Sequence, residues 1–101
     1  MYARLAMFRG VDAAQIDAVI DGMSGAVQAD FNAPPEGLEG VREVMLLVDR
    51  EHGRGLGITL YETEEDMLLG DAVLSRRSPS QAGGVRTGVE QYEVALRRVR
   101  G

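Results

Sequence analysis

The chain has 101 residues, 45% of them hydrophobic and 27% charged, with a formal net charge of −5 at pH 7. That length fits one domain over 1–101, and the acidic balance argues against nucleic acid as a partner, because phosphate recognition needs a basic surface. There is no cysteine and no lysine, all eleven basic residues being arginine, which excludes disulfides, thiol nucleophiles, Schiff-base catalysis and a phosphate-loop lysine.

Residues 2–9 (YARLAMFR) predict a first strand. The opening MYARLAMFRG does not have a signal-peptide layout, and no stretch approaches the roughly 20 apolar residues that span a bilayer. The expected location is the cytoplasm, with no membrane partner. A helix is predicted to open at Val11–Asp12, with Asp12 as its N-cap. Ile16, Val19, Ile20, Met23 and Val27 form one amphipathic stripe along it. The helix should stop before Asn32-Ala33-Pro34-Pro35, since proline disfavours helical geometry in the residue before it.

Residues 41–49 and 56–62 predict two further strands. Asp49-Arg50-Glu51-His52-Gly53-Arg54 lies between them, and its glycine suits an antiparallel hairpin turn. His52 is the only histidine. A multi-histidine metal site within one chain is therefore excluded, and no metal or cofactor is expected. Gly53-Arg54-Gly55-Leu56-Gly57 joins two strands and leads into no helix, so it reads as hairpin chemistry, not as a phosphate loop. Thr63-Glu64-Glu65-Asp66 opens a second helix, with Thr63 as cap and three acids at the positive end of the dipole. This helix should end near Arg76-Arg77.

Residues 78–88 (SPSQAGGVRTG) read as a loop, either a plain connector or a mobile flap. Residues 89–99 fit both periods. As a helix, Val89, Tyr92, Leu96 and Val99 share a face; as a strand, Tyr92, Val94 and Leu96 do. Valines 89 and 94, with Tyr92, favour the strand.

The order β-α-β-β-α-β predicts an α+β ferredoxin-like fold, a four-stranded antiparallel sheet with two helices on one face. Val44-Met45-Leu46-Leu47-Val48 and Leu5-Ala6-Met7-Phe8 are apolar without a break. Alternate strand side chains point to opposite faces, so these runs offer apolar surface to both sides of the sheet. Two helices cover one side. The simplest cover for the other is a second copy of the chain, a homodimer.

The hairpin segment Val44 to Arg54, the run Ile58-Thr59-Leu60-Tyr61-Glu62-Thr63-Glu64-Glu65-Asp66-Met67 and the segment Val89-Glu90-Gln91-Tyr92-Glu93-Val94 resemble the dimeric α/β-barrel superfamily. The resemblance is to its antibiotic-biosynthesis-monooxygenase-like branch. It implies a ferredoxin-like subunit whose sheet faces a partner's sheet to form a barrel, with a pocket between each sheet and its helices. The superfamily's activities include cofactor-free oxygenation of aromatic substrates, haem degradation and lactone isomerisation, beside members with no assigned activity. The chain departs from the catalytic patterns. Oxygenase members often carry tryptophan where Tyr61 stands, and this chain has none. The histidine of haem-handling members lies beyond the hairpin, whereas His52 lies in it. The single asparagine, Asn32, sits beside the prolines.

Each candidate residue has two readings. Arg4 interrupts an apolar strand; it either anchors an anionic or phenolate oxygen or carries its charge to solvent along its stem. Tyr61 and Glu62 end a strand where the resemblance puts a pocket mouth. There Tyr61 would hydrogen-bond a ligand and Glu62 would act as a base; otherwise both are strand-end residues. Tyr92, Phe8 and Phe31 either line a pocket or fill the core. Arg97, Arg98 and Arg100 either meet an acidic surface or form a solvated tail. Two functions follow. One is the binding of a small apolar or aromatic molecule between sheet and helices, with cofactor-free monooxygenase or isomerase chemistry. The other is a non-catalytic ligand-binding or assembly module. A cavity of about 300 Å³ or more under the helices, with Tyr61 or Glu62 turned inward, favours the first, and a closed, side-chain-filled core favours the second.

Overall fold

The computed structural model describes residues 1–77 and 84–101. Its elements are β1 (Tyr2–Arg9), α1 (Ile16–Asn32), β2 (Val41–Asp49), β3 (Arg54–Tyr61), α2 (Glu64–Ser75) and β4 (Val85–Glu93). The strands form one four-stranded sheet in the order β2-β3-β1-β4, every neighbouring pair antiparallel. This is the ferredoxin-like α+β arrangement expected from the order of elements.

Local chemistry sets most boundaries. Gly53 turns the β2–β3 hairpin at φ +64°, a left-handed conformation that glycine adopts at little cost. Asp49 closes the same turn: its carboxylate accepts from the His52 backbone N–H at 3.1 Å and from Arg54 Nη2 at 2.6 Å. Thr63 caps α2 by accepting from Asp66 N at 3.1 Å. Two boundaries differ from expectation. Asp12 accepts from Ala14 N at 2.9 Å and from Gln15 N at 3.0 Å. It thus closes a preceding turn, and α1 begins only at Ile16.

The final segment is a strand, but it is shifted. It starts at Val85, inside the stretch read as a loop, and ends at Glu93. A bulge at Thr87, whose hydroxyl donates to the Met7 carbonyl at 3.3 Å, lets Arg86 and Val85 continue pairing with Phe8 and Arg9. Pairing ends at Glu93 because its partner, Tyr2, begins β1; one further bond runs from Val94 N to Met1 O at 2.8 Å. The flap reading falls largely on 78–83, outside the described residues.

The two faces of the sheet follow from the pairing. Arg4, Ala6 and Phe8 of β1 stand beside Thr59, Gly57 and Gly55 of β3 on the helix side. On the opposite face Met45, Ile58 and Leu5 form one row, and Leu47, Leu56 and Met7 the next. Met45 and Leu47 are exposed, as is Tyr92 on the same face. Part of this face is covered from within. Glu43, Leu60, Ala3 and Tyr92 form a third row from edge to edge, and Arg97, beyond the end of β4, donates to Glu43 on β2 at 2.9 Å. The C-terminal segment therefore crosses this row, where Ala3 and Leu60 are buried. Its own Leu96 and Val99 remain exposed.

Candidate functional site

The two helices sit on the sheet differently. α2 packs directly on β1 and β3. Gly70 faces Tyr61 so closely that a Cβ there would lie 2.7 Å from the ring's Cε1. α1 is held away from the strands, and a cavity of about 540 Å³ lies between them. Small residues on both sides keep it open. Its floor has Ala6 beside Gly57, and its helical wall has Ala18, Gly22 and Ala26 among Val19, Met23 and Val27. The apolar stripe of α1 is thus turned inward, yet of the helix only Ile16 is fully buried. Phe31, 43% exposed, stands at the margin.

One end of the cavity is charged. Arg4 is 4% exposed on a central strand; its Nε donates to Asp71 Oδ1 at 2.7 Å and its Nη2 to Ser75 Oγ at 3.2 Å. Arg86 donates to the Leu74 and Ser75 carbonyls at 3.3 and 2.9 Å. Arg77 meets Asp30 at 3.4 Å, tying the end of α2 to α1. All three arginines and Asp30 line the cavity.

The predicted site residues do not come together as a set. Arg4 and Phe8 line the cavity, with Ala6 between them. Arg4 is inside and held by Asp71, so the solvent-reaching alternative does not describe it. Tyr61 is fully buried under α2 and is not part of the lining. Its hydroxyl accepts from Thr59 Oγ1 at 3.0 Å, so Tyr61 is linked to the cavity only through Thr59. Burial pushes the Tyr61 phenol above its ordinary pKa, partly offset by the Thr59 bond. Glu62 lies past the end of β3, exposed and 3.6 Å from Arg42. Tyr92 is on the opposite face of the sheet, where its hydroxyl donates to Glu90, and that bond raises its pKa.

Arg77, Arg86, Asp30 and Thr59 are the polar lining that sequence reasoning missed. Thr59 carried a signal, being two residues before Tyr61 and so on the same strand face. Arg86 was hidden in a stretch with loop composition. Among the described residues no group of three or more His, Asp or Glu side chains is placed to hold a metal ion. Among the same residues no helix is long and apolar enough to cross a membrane.

The fold is shared with solved structures. A crystal structure of an antibiotic biosynthesis monooxygenase matches with a TM-score of 0.59 at 16% identity, over 95% of this chain and 100% of the other. A dimeric ferredoxin-like protein from an uncultured marine organism matches with a TM-score of 0.59 at 12% identity, over 98% of this chain and 97% of the other. No family model and no curated protein matches the chain. At 16% and 12% identity the likeness shows a shared ferredoxin-like fold and no more than that.

Proposed function

We propose that the protein is a homodimer in which each subunit binds a small apolar or aromatic molecule between α1 and the sheet. The observation that carries this reading is the cavity itself. Its volume, about 540 Å³, falls within the roughly 300–1,000 Å³ of small-molecule sites, and its mostly apolar lining with a few convergent polar groups is their usual composition. Arg4 and Phe8 are the binding residues on β1. Tyr61 acts through Thr59, and Tyr92 belongs to the face turned toward the second subunit. The uncovered rows led by Met45 and Leu47 support that pairing.

The likeness to an antibiotic biosynthesis monooxygenase supports turnover of the bound molecule by cofactor-free oxygenation or isomerisation. The lining supports the second reading, binding without turnover. Its titratable groups are arginines and one aspartate, Asp30, which is engaged by Arg77. Glu62, the carboxylate proposed as a base, is outside the lining.

A thermal-shift screen of aromatic and fatty compounds tests the reading. A ligand at 100 times its Kd stabilises the folded state by about 2.7 kcal/mol, a readily measured rise in Tm. Ala26→Phe, which puts a ring into the cavity from its helical wall, should reduce the rise. No shift across the panel would contradict the proposal. Oxygen consumption with each hit then separates turnover from binding.

A further inference from the structure

We infer, resting on the cavity reading above, that the bound molecule is a monocarboxylate, with its acid group at the charged end of the cavity, between Arg4 and Arg86. Both arginines reach one residue, Ser75, Arg4 through its hydroxyl at 3.2 Å and Arg86 through its carbonyl at 2.9 Å. Two guanidiniums therefore converge on the last turn of α2, at the charged end of a mostly apolar chamber. Arg4 is neutralised by Asp71 and Arg77 by Asp30. Arg86 has no carboxylate partner among the described residues, and 78–83 contain no acid. Among the described residues it meets only the carbonyls of Leu74 and Ser75, which carry no more than the fractional negative charge of a helix C-terminus.

The cavity thus holds close to one uncompensated positive charge, in a chain whose net charge is −5. Arg86 is half-buried beside apolar surface, and an anion reaching it would gain a charge-assisted pair. Arginine presents its N–H groups as a planar fork that matches a carboxylate. Arg4 Nη1 has no protein partner among the described residues and supplies a second donor.

The test uses the full chain and three probes on one naphthalene frame, 2-naphthoate, its isostere 2-naphthamide and the smaller 2-naphthol, titrated at pH 7 by naphthalene fluorescence. The naphthoate should bind at least tenfold more tightly than the other two. Arg86→Gln should reduce that preference to threefold or less, whereas Arg86→Lys, which keeps the charge, should retain it. Thermal melts establish that both variants are folded, and the three-probe comparison in the unmodified protein stands without them. Equal binding of naphthoate and naphthamide overturns this inference and leaves the cavity reading intact. Naphthol binding as tightly as naphthoate overturns the carboxylate assignment. No binding by any probe overturns the inference and the cavity reading together.

Discussion

Gly70 of α2 lies against the phenol of Tyr61 on β3, with no room between them for a methyl group. This contact brings α2 onto the sheet while α1 stands off. In an exposed helix, replacing glycine by alanine gains about 1 kcal/mol. Here the new Cβ would overlap a fully buried ring, and overpacking of that kind costs about 1–3 kcal/mol. Gly70→Ala should therefore be destabilising in urea unfolding. Gly25→Ala in α1, where nothing lies within 4 Å, should stabilise by about 0.5–1 kcal/mol.

Arg4 and Asp71 form a pair in which the arginine is almost wholly inside and the aspartate side chain is 27% exposed. Removing one partner of such a pair leaves a buried charge without its counter-ion. Asp71→Ala should cost about 2–3 kcal/mol, at or below the usual range for a buried pair because the carboxylate is partly wet. The double variant Arg4→Met/Asp71→Leu should recover most of that loss, since apolar replacement of both partners is often neutral. Urea midpoints of the single and double variants check this. A double variant less stable than Asp71→Ala would show that Arg4 does more for the fold than balance one charge.

Asp49 predicts a pH signature. The Arg54 guanidinium, followed by the His52 backbone N–H, lowers its carboxyl from 3.8 to about 2. A carboxyl with a depressed folded-state pKa contributes stability above its unfolded pKa and loses it as pH falls through the folded value. The contribution should be complete above about pH 5, fall steeply between about pH 4 and pH 2, and vanish below that. The Tm difference between the unmodified protein and Asp49→Asn should therefore be present at pH 6 and shrink toward zero at pH 2. A difference that stays constant across that range would rule out the ionised carboxylate as the source.

Much of the fold was legible because its signals are local. Thr63 before three acids, Gly53 in a charged hairpin and the Pro34-Pro35 stop each act within a few residues. The start of α1 was misread because Asp12 serves a turn as readily as a helix cap. The start of β4 was misread because a bulge and Gly88 give a strand the composition of a loop. The site was less legible for a different reason. Arg4 is legible as a charge that interrupts an apolar strand and Phe8 as an aromatic on it, and the strand period puts both on one face with Ala6. Arg86 faces the cavity only because the Thr87 bulge resets the alternation of β4. Tyr61 lies under a helix instead of at a cavity mouth because of Gly70, a contact between elements that no local pattern announces.

The open face bears on assembly. Rows Met45–Ile58–Leu5 and Leu47–Leu56–Met7 are not under the C-terminal crossing, and contiguous apolar surface of this kind marks an interface. Sedimentation velocity at micromolar concentration tests this most directly. The expected result is a species of twice the 10.9 kDa subunit mass, converted to folded single subunits by Leu47→Arg at the exposed β2 end of its row. A stable, monodisperse single subunit of the unmodified protein would contradict it.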